Sequence, residues 1–502
     1  MFDSVIIFLN LKLILETTIY FLCVKYRPTD VFLSFSSTGN TCYLNSVVQC
    51  LRAIPSFRTG LANYSGTNNN SNNAGQSHAL AAPTSQVNKM FIFNLRDLYG
   101  DLSRTGNPVQ PSRFVMGTKL AFPQFAQTGT RGEPMQQDAE EFYSGLLTII
   151  SSETQSKDAI QASFGKKVVG DKELNGASNM VDALFGIKME ETLTCDEFTD
   201  TNIKTGDAME TQNSSVSESV VTKYDLCRKL VCNIQGGGDA SSDTNVTHIM
   251  EGIALSLNGK LEKRSEVLGR DAVWTKTQRM ARLPPVLCVQ FGRFYWKDTP
   301  DSQDHAGVKC KVMKPVAFQD ILDVYEFCSP DIQKTLKIAR DRFIADEEER
   351  IAKKLKGDED AIKKTKENDE DAMDVSDVKP TGDDNDEEDL KAALALSMSN
   401  NSEPLNLPPV GPGLPENFQG KYELFAVVTH KGRDADGGHY MSWVKAESQG
   451  MRQNLSDADE DNDNWFVFDD DEVSPCRTED VLKLKGGGDW HMSYLNFYRA
   501  KK

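Results

Sequence analysis

Acidic residues are concentrated in two places along this chain, and that limits where a core can form. Residues 341–390 carry a net charge of −11, with few apolar side chains. The residues that follow, 404–415, are rich in Pro and Gly. Such a stretch buries too little apolar surface to offset the entropy of ordering it. It predicts an acidic, mostly disordered insert over 341–415, dividing the foldable chain into a long part before it and a short part after it. Residues 456–472 add −9 with no basic residue, so the rest of a 502-residue chain of net charge −18 carries +2. A nucleic-acid binder shows a basic face; this near-neutral body predicts none. Length alone suggests two or three domains.

The ten cysteines include no CxxC pair, which removes support for a zinc ribbon, and no dense framework suggests disulfides. Reduced thiols fit a cytoplasmic or nuclear protein, and neither metal nor organic cofactor is expected. Residues 5–25 are strongly apolar, but Lys12 and Glu16 lie mid-segment. Each costs about 2.5–3.5 kcal/mol at a bilayer centre. No basic region precedes the run and no small-residue cleavage site follows it. The expectation for residues 1–31 is a misassigned first exon, with a membrane tether as the rival.

Polar residues at 62–88 read as a loop, 89–150 as helical, 152–180 and 200–220 as mobile, and 283–296 as β-rich. From 421 to 500, short aromatic and β-branched runs alternate with turns, predicting strands.

Cys42 opens one of the helices. Leu44, Val47, Val48 and Leu51 lie on one helical face, Gly39 permits a tight loop, and Asn40 or Thr41 can cap. In the first turn, backbone N–H groups and the helix dipole stabilise a thiolate. A buried, inert helix cysteine is the commoner alternative. A thiol nucleophile needs a base. His439 begins the returning strand of a hairpin turned at Asp436-Gly437-Gly438; His430, on the outgoing strand, is its rival. A carboxylate should hold the imidazole tautomer. Trp465–Phe468 runs into Asp469-Asp470-Asp471, and Asp469 emerges first, although spacing does not select among the three.

GNTCYLNS (39–46), QQDAEEF (136–142), GGHYMSWV (437–444) and FDDDEV (468–473) together resemble the ubiquitin-specific proteases, and LPPVLCVQFGRF (283–294) fits the same family. The resemblance implies an α+β, papain-like cysteine peptidase fold, with a helical thumb and an antiparallel β palm and fingers, built from 32–340 and 416–500 as one domain. It implies hydrolysis of the peptide or isopeptide bond after the C-terminal glycine of ubiquitin. Cys42 is then the nucleophile, His439 the base and Asp469 the orienting group. Asp470 and Asn40 are secondary candidates. Gln137 and Asp138, on a helix opened by Pro134, line the channel for the ubiquitin tail together with Tyr440. Ser37 stands where the family has an asparagine that serves the oxyanion, and a ubiquitin-like domain expected in the nearest relatives is not seen. DVYEFCSP (323–330) and GGGDWHMSYLNFY (486–498) look closest to proteasome-associated members, which implies polyubiquitinated proteins and the proteasome regulatory particle as partners. A non-catalytic ubiquitin receptor or proteasome regulator, weakened at Ser37, is the rival function.

Inside the acidic insert, Leu390, Ala393, Leu394, Ser397 and Met398 form one helical stripe behind the acids 386–389. This resembles a ubiquitin-interacting motif; a helix docked on its own domain is the alternative. Replacing Ala393 and Ser397 should weaken binding of ubiquitin chains several-fold in a calorimetric titration, and an unchanged affinity would remove the motif.

Overall fold

The computed structural model describes residues 40–66, 83–104, 109–129, 132–165, 174–197, 220–235, 245–297, 308–367, 410–433, 437–446, 464–470 and 472–501. Residues 1–31, Ser37 and the stripe containing Leu390, Ala393 and Ser397 lie outside them.

The first half is a helical lobe around α1 (Cys42–Arg52), all of whose residues are buried. Around it come α2 (Pro55–Ala62), α3 (Pro83–Arg104), α4 (Ser112–Ala121), α5 (Ala139–Glu153), α6 (Lys157–Phe164) and α7 (Met180–Phe185). Phe142 of α5 lies at the centre, its ring 5.6 Å from Tyr43, 6.0 Å from Phe125 and 6.4 Å from both Phe114 and Phe122. Such tilted and edge-on pairs add to area burial.

Three local readings are corrected here. α5 begins at Ala139, not Pro134, because the Asp138 carboxylate accepts the N–H groups of Glu140 (2.8 Å) and Glu141 (3.4 Å). Gln137 therefore precedes the helix. At α1, Thr41 holds the cap position and its carbonyl accepts from Leu44 and Asn45, but no side chain caps. Residues 157–164, within a stretch read as mobile, form α6, started by Ser156 accepting from Ala159 N at 3.0 Å.

The strands lie between Ile187 and Ala500. The large sheet runs β13 (Glu472–Arg477), β12 (Asn464–Asp469), β11 (His439–Lys445), β10 (Lys421–Lys431), β14 (Met492–Ala500), β6 (Val286–Phe291) and β3 (Leu230–Cys232), with β9 (Ile321–Asp323) also paired to β10. Its pairings are antiparallel except β3–β6. One core joins one set of its residues to the helical lobe, and a second gathers another set with the remaining elements, including Ile249 and Ile253 of helix α8 (Ile249–Leu257). A separate antiparallel sheet is ordered β2 (Val221–Cys227), β1 (Ile187–Cys195), β5 (Asp271–Arg282), β4 (Asn258–Arg264), and β7 (Phe294–Lys297) pairs with β8 (Val308–Lys311). A helical lobe beside largely antiparallel sheets is the expected α+β layout.

Helix α9 (Pro330–Glu367) overturns the first part of the disordered insert. Residues 341–367 are helical, rich in the good helix formers Ala, Glu, Lys, Arg and Leu, and within 341–353 ion pairs form at helical spacing, as in Arg350–Glu347 and Lys353–Glu349. The start of α9 is anchored by buried Ile332 and Leu336 and by Arg340, which bonds Asp323 (2.6 Å) and the Gln419 carbonyl (2.8 Å). The far end of the insert is fixed too, where Val410 O accepts from Leu283 N at 3.0 Å. Among the described residues, no helix is long and apolar enough to cross a membrane.

Arg293, fully buried, ties the region beside the hairpin together. Its guanidinium donates to the carbonyls of Ser493 (2.7 Å), Val312 (3.2 Å), Lys314 (3.1 Å) and Lys485 (3.1 Å). Burial pulls its pKa down to about 10, which leaves it charged at neutral pH. Arg293→Met should remove four hydrogen bonds, the one to Ser493 O buried and the others part-buried, while Lys485 O keeps the Val316 N–H, for a net loss of about 2–3 kcal/mol. Urea unfolding checks this; a loss below ~1 kcal/mol would contradict it.

Candidate active site

Cys42 is the first residue of α1, 5% exposed. Its Sγ accepts two N–H groups, from Gln136 Nε2 at 3.2 Å and the Tyr440 backbone at 3.4 Å. Sheet register brings the rest. Lys431 pairs with His439 across β10–β11, so His439 opens β11; β12 pairs with β11 and ends at Asp469. Gly438, at φ +98°, makes this turn possible: a Cβ there would lie 2.2 Å from Lys431 O and 2.7 Å from the His430 ring.

His439 Nε2 meets Asp469 Oδ1 at 2.5 Å, leaving Nδ1 as the nitrogen not held by the carboxylate. The Cys42 sulfur, and then Asp469, raise the imidazole pKa to about 9 against the opposing effect of burial. Asp470 takes another partner: its backbone has φ +48° and its Oδ1 accepts from Asn45 Nδ2 of α1 at 3.2 Å. Two adjacent aspartates that spacing left undivided are separated by their hydrogen bonds. Asp471 lies outside the described residues. Ligand atoms of His439, Asp469 and Asp470 come within 4.8 Å of one another, close enough to hold a metal ion, but the first two already engage each other.

His430 is buried, and both its ring nitrogens are engaged. Nε2–H donates to Gly437 O (2.9 Å), which leaves Nδ1 to accept from Lys311 Nζ (2.6 Å). Burial, then the Lys311 charge, push its pKa down to about 3, and burial brings Lys311 down to about 7. This histidine braces the hairpin as a neutral ring. Tyr440 reaches the sulfur through its backbone, while its ring is buried edge-on against His430 at 4.6 Å. Asp138 caps α5, accepts from Tyr494 OH at 2.7 Å and stands 3.9 Å from Lys309. Gln137 Nε2 donates to Met135 O at 3.2 Å. The Asn40 amide donates to Pro134 O at 2.9 Å, so it fastens the loop before α5.

The sequence singles out Gln137, yet it is Gln136 that touches the sulfur. Two adjacent glutamines in a loop carry no periodicity to separate them, and the contact spans 94 positions. A sulfur at a helix start, an imidazole and a carboxylate form the nucleophile, base and orienter constellation of acyl transfer.

Residues 34–498 match the family described as ubiquitin carboxyl-terminal hydrolase. The chain is 34% identical over 468 residues to ubiquitin carboxyl-terminal hydrolase 6 of Arabidopsis thaliana, covering 92% of this chain and 77% of that protein. It is 31% identical to ubiquitin carboxyl-terminal hydrolase 7 of the same plant (92% and 76% covered). Against ubiquitin carboxyl-terminal hydrolase 6 of Schizosaccharomyces pombe it is 27% identical (92% and 77% covered).

A raised imidazole pKa means that His439 stays protonated through neutral pH and loses its proton as pH rises through about 9. Cys42→Ala removes the largest cause, so the His439 titration followed by NMR should fall toward the ordinary imidazole value of about 6.5. A midpoint unmoved by that substitution would break the coupling between the two groups.

Proposed function

The chain belongs to the ubiquitin carboxyl-terminal hydrolase family and is a cysteine-type deubiquitinase of papain-like fold, and from that premise we propose that Cys42, His439 and Asp469 carry its chemistry. The observation that carries this reading is the 2.5 Å His439–Asp469 bond beside a sulfur at the start of a buried helix. At neutral pH the resting imidazolium of His439 already carries the proton given up by Cys42. The thiolate attacks the carbonyl carbon after the last glycine of ubiquitin, forming a tetrahedral adduct. Its collapse breaks the C–N bond, and His439 hands its proton to the departing amine. Water then attacks the thioester, giving its proton to His439, and collapse releases the ubiquitin carboxylate and restores the starting imidazolium–sulfur pair. Asp469 holds the imidazole through Nε2, so that Nδ1 serves the sulfur. Asp470, through Asn45, positions the end of β12 against α1.

The ubiquitin tail enters past Gln137, Asp138 and Tyr440. A Gly-Gly terminus suits a groove too narrow for side chains, and carboxylates along the approach suit the arginines preceding it. The substrates are ubiquitinated proteins delivered to the proteasome, the regulatory particle is the partner, and the cytoplasm and nucleus are the compartments. The segments 323–330 and 486–498 support this finer part.

A non-catalytic ubiquitin receptor is the second reading, favoured by Ser37 alone. One experiment separates the two. Ubiquitin carrying a C-terminal electrophile is added to a lysate containing the full chain. The enzyme reading expects a covalent adduct that Cys42→Ala abolishes and His439→Ala slows at least ~100-fold. Binding without an adduct would make the chain a receptor. Sedimentation of the labelled chain with proteasome particles supports the finer part, and its recovery only as free protein would remove that part while leaving the peptidase.

A further inference from the structure

The mechanism above leaves the negative charge of the tetrahedral adduct without an assigned side-chain donor. Asn40, a secondary candidate for that task, has committed its amide to Pro134 O. Asp138 accepts from Glu140 N and Tyr494 OH, and the Tyr440 ring is buried against His430. Among the described residues, one side-chain amide, that of Gln136, contacts the sulfur.

We infer that Gln136 is a catalytic residue, whose side-chain amide donates to the Cys42 thiolate and then to the oxyanion that forms beside it. This rests on Cys42 being the nucleophile. Gln136 Nε2 lies 3.2 Å from Sγ. Its orientation follows from chemistry: a sulfur approaching thiolate character takes a donor, whereas Oε1 in that place would set lone pair against lone pair. An amide nitrogen carries two hydrogens, and the sulfur occupies one. When sulfur acylates it becomes a thioether-like, poor acceptor, while the new oxyanion stands two bonds away from it. The donor's interaction is then stronger in the adduct than before it, which is the condition for accelerating the step. The Tyr440 backbone N–H, 3.4 Å from the same sulfur, is the second donor of the pair.

The geometry is held in place. Pro134 O is fixed by Asn40, Met135 N donates to Gln127 O at 3.1 Å, and Thr128 bridges Pro134. On the other side Asp138 is fixed at the α5 cap and by Tyr494 OH. Gln136 thus hangs between two anchored points, and its Oε1 is buried. A donor delivered on anchored backbone costs little reorganisation at the moment of reaction. Asn40, at φ +54°, acts through Gln136 and is a positioning residue.

The test uses the full chain with ubiquitin joined to a fluorogenic amine. Gln136→Ala should lower kcat by ~10²–10³-fold with KM little changed. Gln136→Glu keeps the shape but replaces the donor by an acceptor, so it should fall at least as far while its thermal midpoint stays near the parent's. A kcat within about threefold of the parent in both variants overturns the inference. An active Cys42→Ala chain overturns the nucleophile reading instead, so the two failures are distinct.

Discussion

The site depends on the enclosure of α1. A helix with no exposed residue must be surrounded, and the surroundings come from both halves of the chain: α5 on one side, β10, β11 and β12 on another. Its first residue is then fixed in all directions. The sulfur stands where unpaired N–H groups concentrate, and the only groups able to reach it are those the enclosing elements present. α1 tolerates this although Asn45, Ser46, Gln49 and Arg52 are buried along it. Asn45 in particular carries the constraint outward, bonding Asp470 and so locking the strand end that bears Asp469 to the helix that bears Cys42.

The hairpin is the counterpart of that helix. Its turn closes only because Gly438 lies where a side chain would strike Lys431 O, and its two strands are braced by a neutral His430 between Lys311 and Gly437. Desolvation works in opposite senses on the neighbouring imidazoles. It dominates at His430 and at His491, pushed down to about 4, while at His439 the sulfur and carboxylate outweigh it. Identical side chains within one small region therefore hold their protons over very different pH ranges, and only one is placed to move a proton at neutral pH.

Much of this was legible in sequence, for a physical reason. Cys42 sits on a clean 3.6-residue pattern, and His439 and Asp469 at turn–strand junctions marked by Gly-Gly and by a run of acids; period and punctuation are local signals. What was not legible is set by contacts across long separations. Gln136 could not be told from Gln137, nor Asp470 from Asp469, because those choices depend on which neighbour the fold supplies. The α5 start was misplaced by reading Pro134 as a helix opener when Asp138 offers the better cap. The acidic composition of 341–353 points away from a core, but a helix needs no core when charges such as Arg350–Glu347 and Lys353–Glu349 pair along its own surface.

The sulfur and the backbone N–H of Tyr440 are 398 positions apart, and the imidazole and carboxylate partners lie as far along the chain. A chain made from its N-terminus exposes the cysteine long before those partners exist. Non-local pairing of this kind also forms late in folding, since loop closure precedes the contacts that repay it. The thiol is therefore an ordinary cysteine throughout synthesis, and catalytic competence arrives as one of the last events of maturation. A peptidase built this way has little opportunity to act while it is still incomplete.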